Sequence, residues 1–225
     1  MLYLVFAMLG AAFLYYAAGR SAPPFFRSLP AFLSGVPAGV LAAFLQALLL
    51  RISGGTASSV AAKALSGVFF DALLPLLLLC GVNFLFFRAE MESSERGGFA
   101  GWFLPQFFAC LAVYEPFSLF VRFQPLDAFF CFFHTLFAVL AVFLCRAAFF
   151  RSGPDCSFPV FPAVLAPPFA ALAWSSVLSA FWFFGLPPRV FLPAASVSAA
   201  VLLAAVFLLG RKKEKTAPGV SGTPG

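Results

Sequence analysis

The sequence predicts an all-α fold, a polytopic membrane bundle of about seven transmembrane helices, with six to eight compatible with the spacing of its breaks. Three observations carry this. Hydrophobic residues make up 63% of the 225 and charged residues only 10%, and the mean hydropathy is +1.02, a composition that excludes an ordinary water-soluble domain. Apolar runs close to the ~20 residues that cross a bilayer recur along the chain. Lys and Arg fall unevenly between alternate connections, as the positive-inside rule requires of a threaded chain. The 34 Phe set against the single Ile52 carry no functional assignment.

The first apolar run covers residues 2–18. No Lys or Arg precedes it, whereas Arg20 and Arg27 follow it, the reverse of a secretory leader, so it reads as a retained span with its N-terminus outside. Residues 21–30, with Pro23, Pro24 and Pro30, read as a linker. The second span is expected at 31–50. Its Gly35, Gly39 and Ala43 recur at every fourth position and form a smooth face for a neighbouring helix. Residues 51–66 are rich in small polar side chains and read as a surface loop or a re-entrant segment. Gly54 and Gly55 lack the surroundings of a phosphate loop.

The third span is expected at 67–87, with Asp71 about a turn inside its start. Pro75 clashes with the carbonyl four residues back, that of Asp71, which therefore needs another donor. The most charged connection, 88–98, reads as a solvated turn. The fourth span, 101–121, contains the Glu115-Pro116 pair, where the proline disfavours helical backbone at the carboxylate and a kink is expected. A tight turn leads to the fifth span, 126–145, which carries Asp127 and His134. A proline-rich loop at 146–162 and Pro167-Pro168 defer the sixth span to 169–186, where Ser175, Ser176 and Ser179 offer hydroxyls. Pro187, Pro188 and Pro193 defer the seventh to 194–209, after which comes a basic and then disordered cytoplasmic tail, 211–225. Residues 1–210 thus form one transmembrane domain.

The ionisable groups inside this apolar sequence are the candidate polar site: Asp71, Glu115, Arg122, Asp127 and His134. Glu115 and Arg122 are seven apart and share a helical face, as do Asp127 and His134. At ~1.5 Å per residue Glu115 lies about 10 Å and His134 about 13 Å from the intervening turn, so antiparallel helices bring them to similar depth. Intramembrane acids are costly to bury and are functional candidates by default, and interrupted helices with polar groups recur at transporter sites. Each also has a structural reading: Glu115 as partner of Arg122, and His134 as an interhelical hydrogen-bond donor.

With seven spans, ten Lys and Arg fall on the inner side and four on the outer, the latter being Arg51, Lys63, Arg122 and Arg189. This orients the chain with its C-terminus in the cytoplasm, and the expected location is a bacterial inner membrane. The net charge of +6 is topological and implies no nucleic-acid partner. A single histidine excludes HExxH and multi-histidine zinc sites. Phe130 to His134 forms an FxxxH element without the paired-glutamate motif of the CAAX-type intramembrane proteases, and GxSxG is absent. Five cysteines without a CxxC pair indicate neither a disulfide framework nor a metal ribbon. No cofactor or metal is expected, and catalysis is the weakest of three readings. The first is a small transport or permease-type module whose kinked helices hold an outward-side polar site for a small solute or protons. The second is a non-catalytic scaffold or subunit that docks other membrane proteins. The lipid bilayer is the partner common to both.

Overall fold

The computed structural model describes residues 25–52, 59–86, 98–122, 128–152 and 161–211. Six helices follow in order: α1 (Phe25–Ile52), α2 (Val60–Phe86), α3 (Gly98–Arg122), α4 (Ala128–Ser152), α5 (Phe161–Phe183) and α6 (Pro188–Arg211). Among the described residues five segments are long and apolar enough to cross a membrane, namely Leu29–Ile52, Val60–Phe86, Phe132–Phe149, Ala163–Phe183 and Pro188–Gly210. Between them runs α3, buried continuously from Trp102 to Leu111. The first expected span, residues 2–18, the turn holding Asp127 and the tail beyond residue 211 lie outside the described residues.

Polarity is distributed as a bilayer demands. Phe44, Leu85, Val197, Val201 and Phe207 face outward, while Gln46, Asp71, Gln106, Glu115, Ser118 and His134 are buried. Lipid solvates the apolar surface, and every buried polar group must find its partner inside the protein. The described chain is therefore a helical membrane bundle. Its core joins Phe103 and Phe107 of α3 to Leu76 and Leu79 of α2, Leu144 of α4 and Leu172 of α5, and a smaller cluster of Phe137, Leu178 and Phe191 seats α6.

Helix boundaries depart from the sequence expectation at the prolines. Pro30 lies inside α1, Pro167 and Pro168 inside α5, and Pro193 inside α6, so the expected linker at 21–30 and the deferred starts of the last two spans are corrected. The loop expected at 146–162 is likewise helix as far as Ser152 and again from Phe161. Helix α3 continues through Pro105 and Pro116 and is not interrupted at Glu115. A proline removes one backbone hydrogen bond, and in a bundle the neighbouring helices and local changes of pitch absorb the loss.

The largest correction concerns α2. Residues 60–66, expected as loop or re-entrant segment, are helix, and the start is set by Ser59, whose extended backbone (φ −144, ψ 159) and hydroxyl cap the N–H of Ala62 at 3.2 Å. Asp71 accordingly sits eleven residues into the helix, ~16 Å from its start, rather than one turn. There the chain forms a π-helical turn, Val68–Leu73, in which the Leu74 N–H reaches back to the Phe69 carbonyl.

Helices α1 and α3 run parallel in a constant register. A Cβ on Gly35 would collide with the Gln106 carbonyl, and one on Gly39 would stand 2.6 Å from the Cys110 carbonyl. One turn further, Ala43 is buried with Tyr114. Hydrogen bonds close this seam at both ends, from Gln106 to Ser34 (2.7 Å) and from Gln46 to Ser118 (3.0 Å). Helix α5 ends in a Schellman turn: Leu186 N–H donates to Phe181 O (3.1 Å) and Gly185 N–H to Trp182 O (3.0 Å), with Gly185 at φ +89. Pro188 then opens α6 at the position where a missing N–H costs nothing.

Candidate functional site

The polar site is assembled from five helices, and its construction begins at Pro75. In the π turn Leu74 bonds to Phe69, so the Phe70 carbonyl faces the nitrogen of Pro75, which has no proton to give. The outside donor expected at Asp71 is needed one residue earlier, because the π turn shifts the register. Tyr114 of α3 supplies it, its hydroxyl donating to Phe70 O at 2.6 Å.

The same distortion turns Asp71 into the bundle, where 1% of its surface is exposed. Its Oδ1 accepts from Ser118 at 2.8 Å and stands 3.4 Å from the Tyr114 hydroxyl, and its Oδ2 accepts from Ser176 of α5 at 3.2 Å. Ser118 in turn accepts from Gln46 of α1. The carboxylate is thus met by hydroxyls from α3 and α5.

Beside this lies a second centre. Glu115 and His134 are 5% and 4% exposed, and His134 Nε2 stands 2.6 Å from Glu115 Oε2. The contact is an ion pair when the ring carries a proton, and its angles fall outside those of a hydrogen bond. The other ring nitrogen faces two serine hydroxyls. Nδ1 lies 3.0 Å from Ser175 Oγ and 3.2 Å from Ser179 Oγ, and Ser179 already gives its proton to the Ser175 carbonyl at 2.8 Å. Ser179 in that arrangement accepts from a protonated Nδ1, whereas the Ser175 hydroxyl donates to an unprotonated one, so the two serines serve either tautomer and Nε2 is the atom that faces Glu115.

The two centres share their supports. Tyr114 and Glu115 are consecutive on α3, and Ser175 and Ser176 are consecutive on α5; in each pair one residue serves Asp71 and its neighbour serves the Glu115–His134 contact. Towards the start of α2, Lys63 is also buried, with its Nζ 4.2 Å from the centre of the Phe183 ring, a cation–π contact.

Of the five candidate residues, the structure brings Glu115 and His134 into contact and places Asp71 among hydroxyls from the neighbouring positions Tyr114 and Ser176. Arg122 ends α3, and its side chain, like all of Asp127, lies outside the described residues. Gln46, Tyr114 and Ser118 were not distinguished by sequence reasoning. The available signal was that Tyr114, Glu115 and Ser118 follow one another at helical spacing on a single face. Among the described residues no group of three or more His, Cys, Asp or Glu could hold a metal ion. The chain matches no protein-family model, no curated protein and no solved structure, so its function rests on this geometry.

Proposed function

We propose that the chain is a small transport-type membrane module in which Glu115 and His134 exchange a proton within an occluded polar site. The observation that supports this is the 2.6 Å approach of Nε2 to Oε2 between two helices, with both side chains buried. Burial of two ionisable groups costs far more than an apolar pair at the same positions, and their juxtaposition yields a centre that can take up or release a proton when water or a small solute gains access. The proposal includes seven spans, read from the recurrence of apolar runs, an outside N-terminus and a cytoplasmic basic tail, read from the distribution of Lys and Arg, and residence in a bacterial inner membrane.

A second reading, a non-catalytic scaffold or subunit, is favoured by one observation: most members of the network tie two helices together, and the α1–α3 seam is closed by such ties at both ends. Labelling of Glu115 by an apolar carbodiimide in native membranes, followed across pH, separates the two. Proton exchange requires labelling that rises as the carboxyl protonates, with a midpoint that moves in His134→Ala. A scaffold requires no labelling at any pH, or labelling indifferent to His134.

A further inference from the structure

The oxygens gathered around Asp71 form a ligand set distinct from the Glu115–His134 pair. Six oxygens converge there from three helices: both carboxylate oxygens of Asp71, the hydroxyls of Tyr114, Ser118 and Ser176, and the Phe70 carbonyl that its own helix leaves to an outside donor. Hard cations take such ligand sets, and carbonyls released where a membrane helix departs from α geometry are recurrent ligands for sodium. π turns themselves concentrate at functional sites.

We propose that this cage is a binding site for a monovalent alkali cation of sodium's size. The inference goes beyond proton exchange, since it concerns a different carboxylate and a different ligand. The spacing supports the size. Oxygens held at ~2.4 Å from a cation and at right angles stand ~3.4 Å apart, and the cage separations are 2.6, 2.8, 3.2 and 3.4 Å. Sodium leaves the two wider separations almost unchanged and requires the 2.8 and 2.6 Å pairs to open by about 0.6 and 0.8 Å, whereas potassium, a larger ion, requires every pair to open further. Hydroxyl protons must turn away from the cation, and two of the three have somewhere to go. Ser176 lies 3.0 Å from the Leu172 carbonyl and Tyr114 lies 2.6 Å from that of Phe70, so each keeps a hydrogen bond while a lone pair turns inward. Because Tyr114 precedes Glu115 and Ser175 precedes Ser176, any widening of the cage also moves the supports of the proton pair.

The test is thermal unfolding of the full chain in detergent, in sodium, potassium or choline chloride at constant ionic strength. Sodium is expected to raise the unfolding temperature saturably, potassium less, and choline not at all. The sodium response is expected to vanish in Asp71→Asn and to persist in Glu115→Gln, which separates this site from the proton reading. Ser176→Ala keeps the carboxylate and removes one oxygen, and should raise the half-saturating sodium concentration by about tenfold. Equal unfolding temperatures in the three salts overturn the site, as does a sodium response that survives Asp71→Asn. Should Asp71→Asn not fold, an unchanged half-saturation in Ser176→Ala overturns it.

Discussion

Tyr114 donates its hydroxyl proton to the Phe70 carbonyl at 2.6 Å, filling a vacancy that the π turn and Pro75 create together. Tyr114→Phe leaves that carbonyl buried without its donor, at an expected cost of about 1–3 kcal/mol. Replacing Pro75 by Ala restores a backbone N–H beneath the same carbonyl. In the Pro75→Ala background Tyr114→Phe should therefore cost less, with a coupling on the order of 1 kcal/mol in a double-mutant cycle of unfolding free energies. Additive costs would separate the tyrosine from the proline.

The α1–α3 seam sets a second expectation. Gly35 and Gly39 face backbone of α3 with no room for a Cβ, whereas Gly81 meets nothing within 4 Å. Gly35→Ala should lower the unfolding temperature, through a strain of about 1–3 kcal/mol, and Gly39→Leu should prevent the two helices from docking. Gly81→Ala should be neutral or stabilising by about 0.5–1 kcal/mol, because a helical glycine gives way to a better helix former. Equal effects at Gly35 and Gly81 would remove the argument for close approach.

Gly185 is a case of conformation without crowding. Its φ of +89 is the only positive value among the described residues, and open space surrounds its Cβ position. Gly185→Ala should cost about 1–2 kcal/mol from left-handed backbone strain alone, and Gly185→Asn less, since asparagine tolerates that region. Identical stabilities for the Ala and Asn variants would argue against the turn.

Coarse fold and fine site were legible to different degrees, for physical reasons. Apolar length and the positions of charges announce membrane helices, because lipid imposes a simple composition rule. Prolines misplace the ends: Pro30, Pro167, Pro168 and Pro193 read as stops, yet in this bundle they lie within helices, where neighbours absorb the lost hydrogen bond. At Asp71 the sequence signals strain through Pro75, but not its resolution. The π turn, and with it the shift of the orphaned carbonyl to Phe70, depends on a tyrosine arriving from another helix. Depth arithmetic along antiparallel helices makes the approach of Glu115 to His134 conceivable. That Glu115 turns towards His134 is a matter of helix rotation, which periodicity does not fix.

The sharing of one proton between Glu115 and His134 is tested most directly by the nitrogen-15 resonances of the imidazole, since His134 is the chain's single histidine and its signals need no assignment. The expected spectrum has an Nε2 whose shift reports a proton shared with a carboxyl. Glu115→Gln should move the Nε2 resonance, the ring nitrogen that faces the carboxyl. A histidine that titrates as in free solution, or an Nε2 resonance unmoved by Glu115→Gln, would contradict the proton pair.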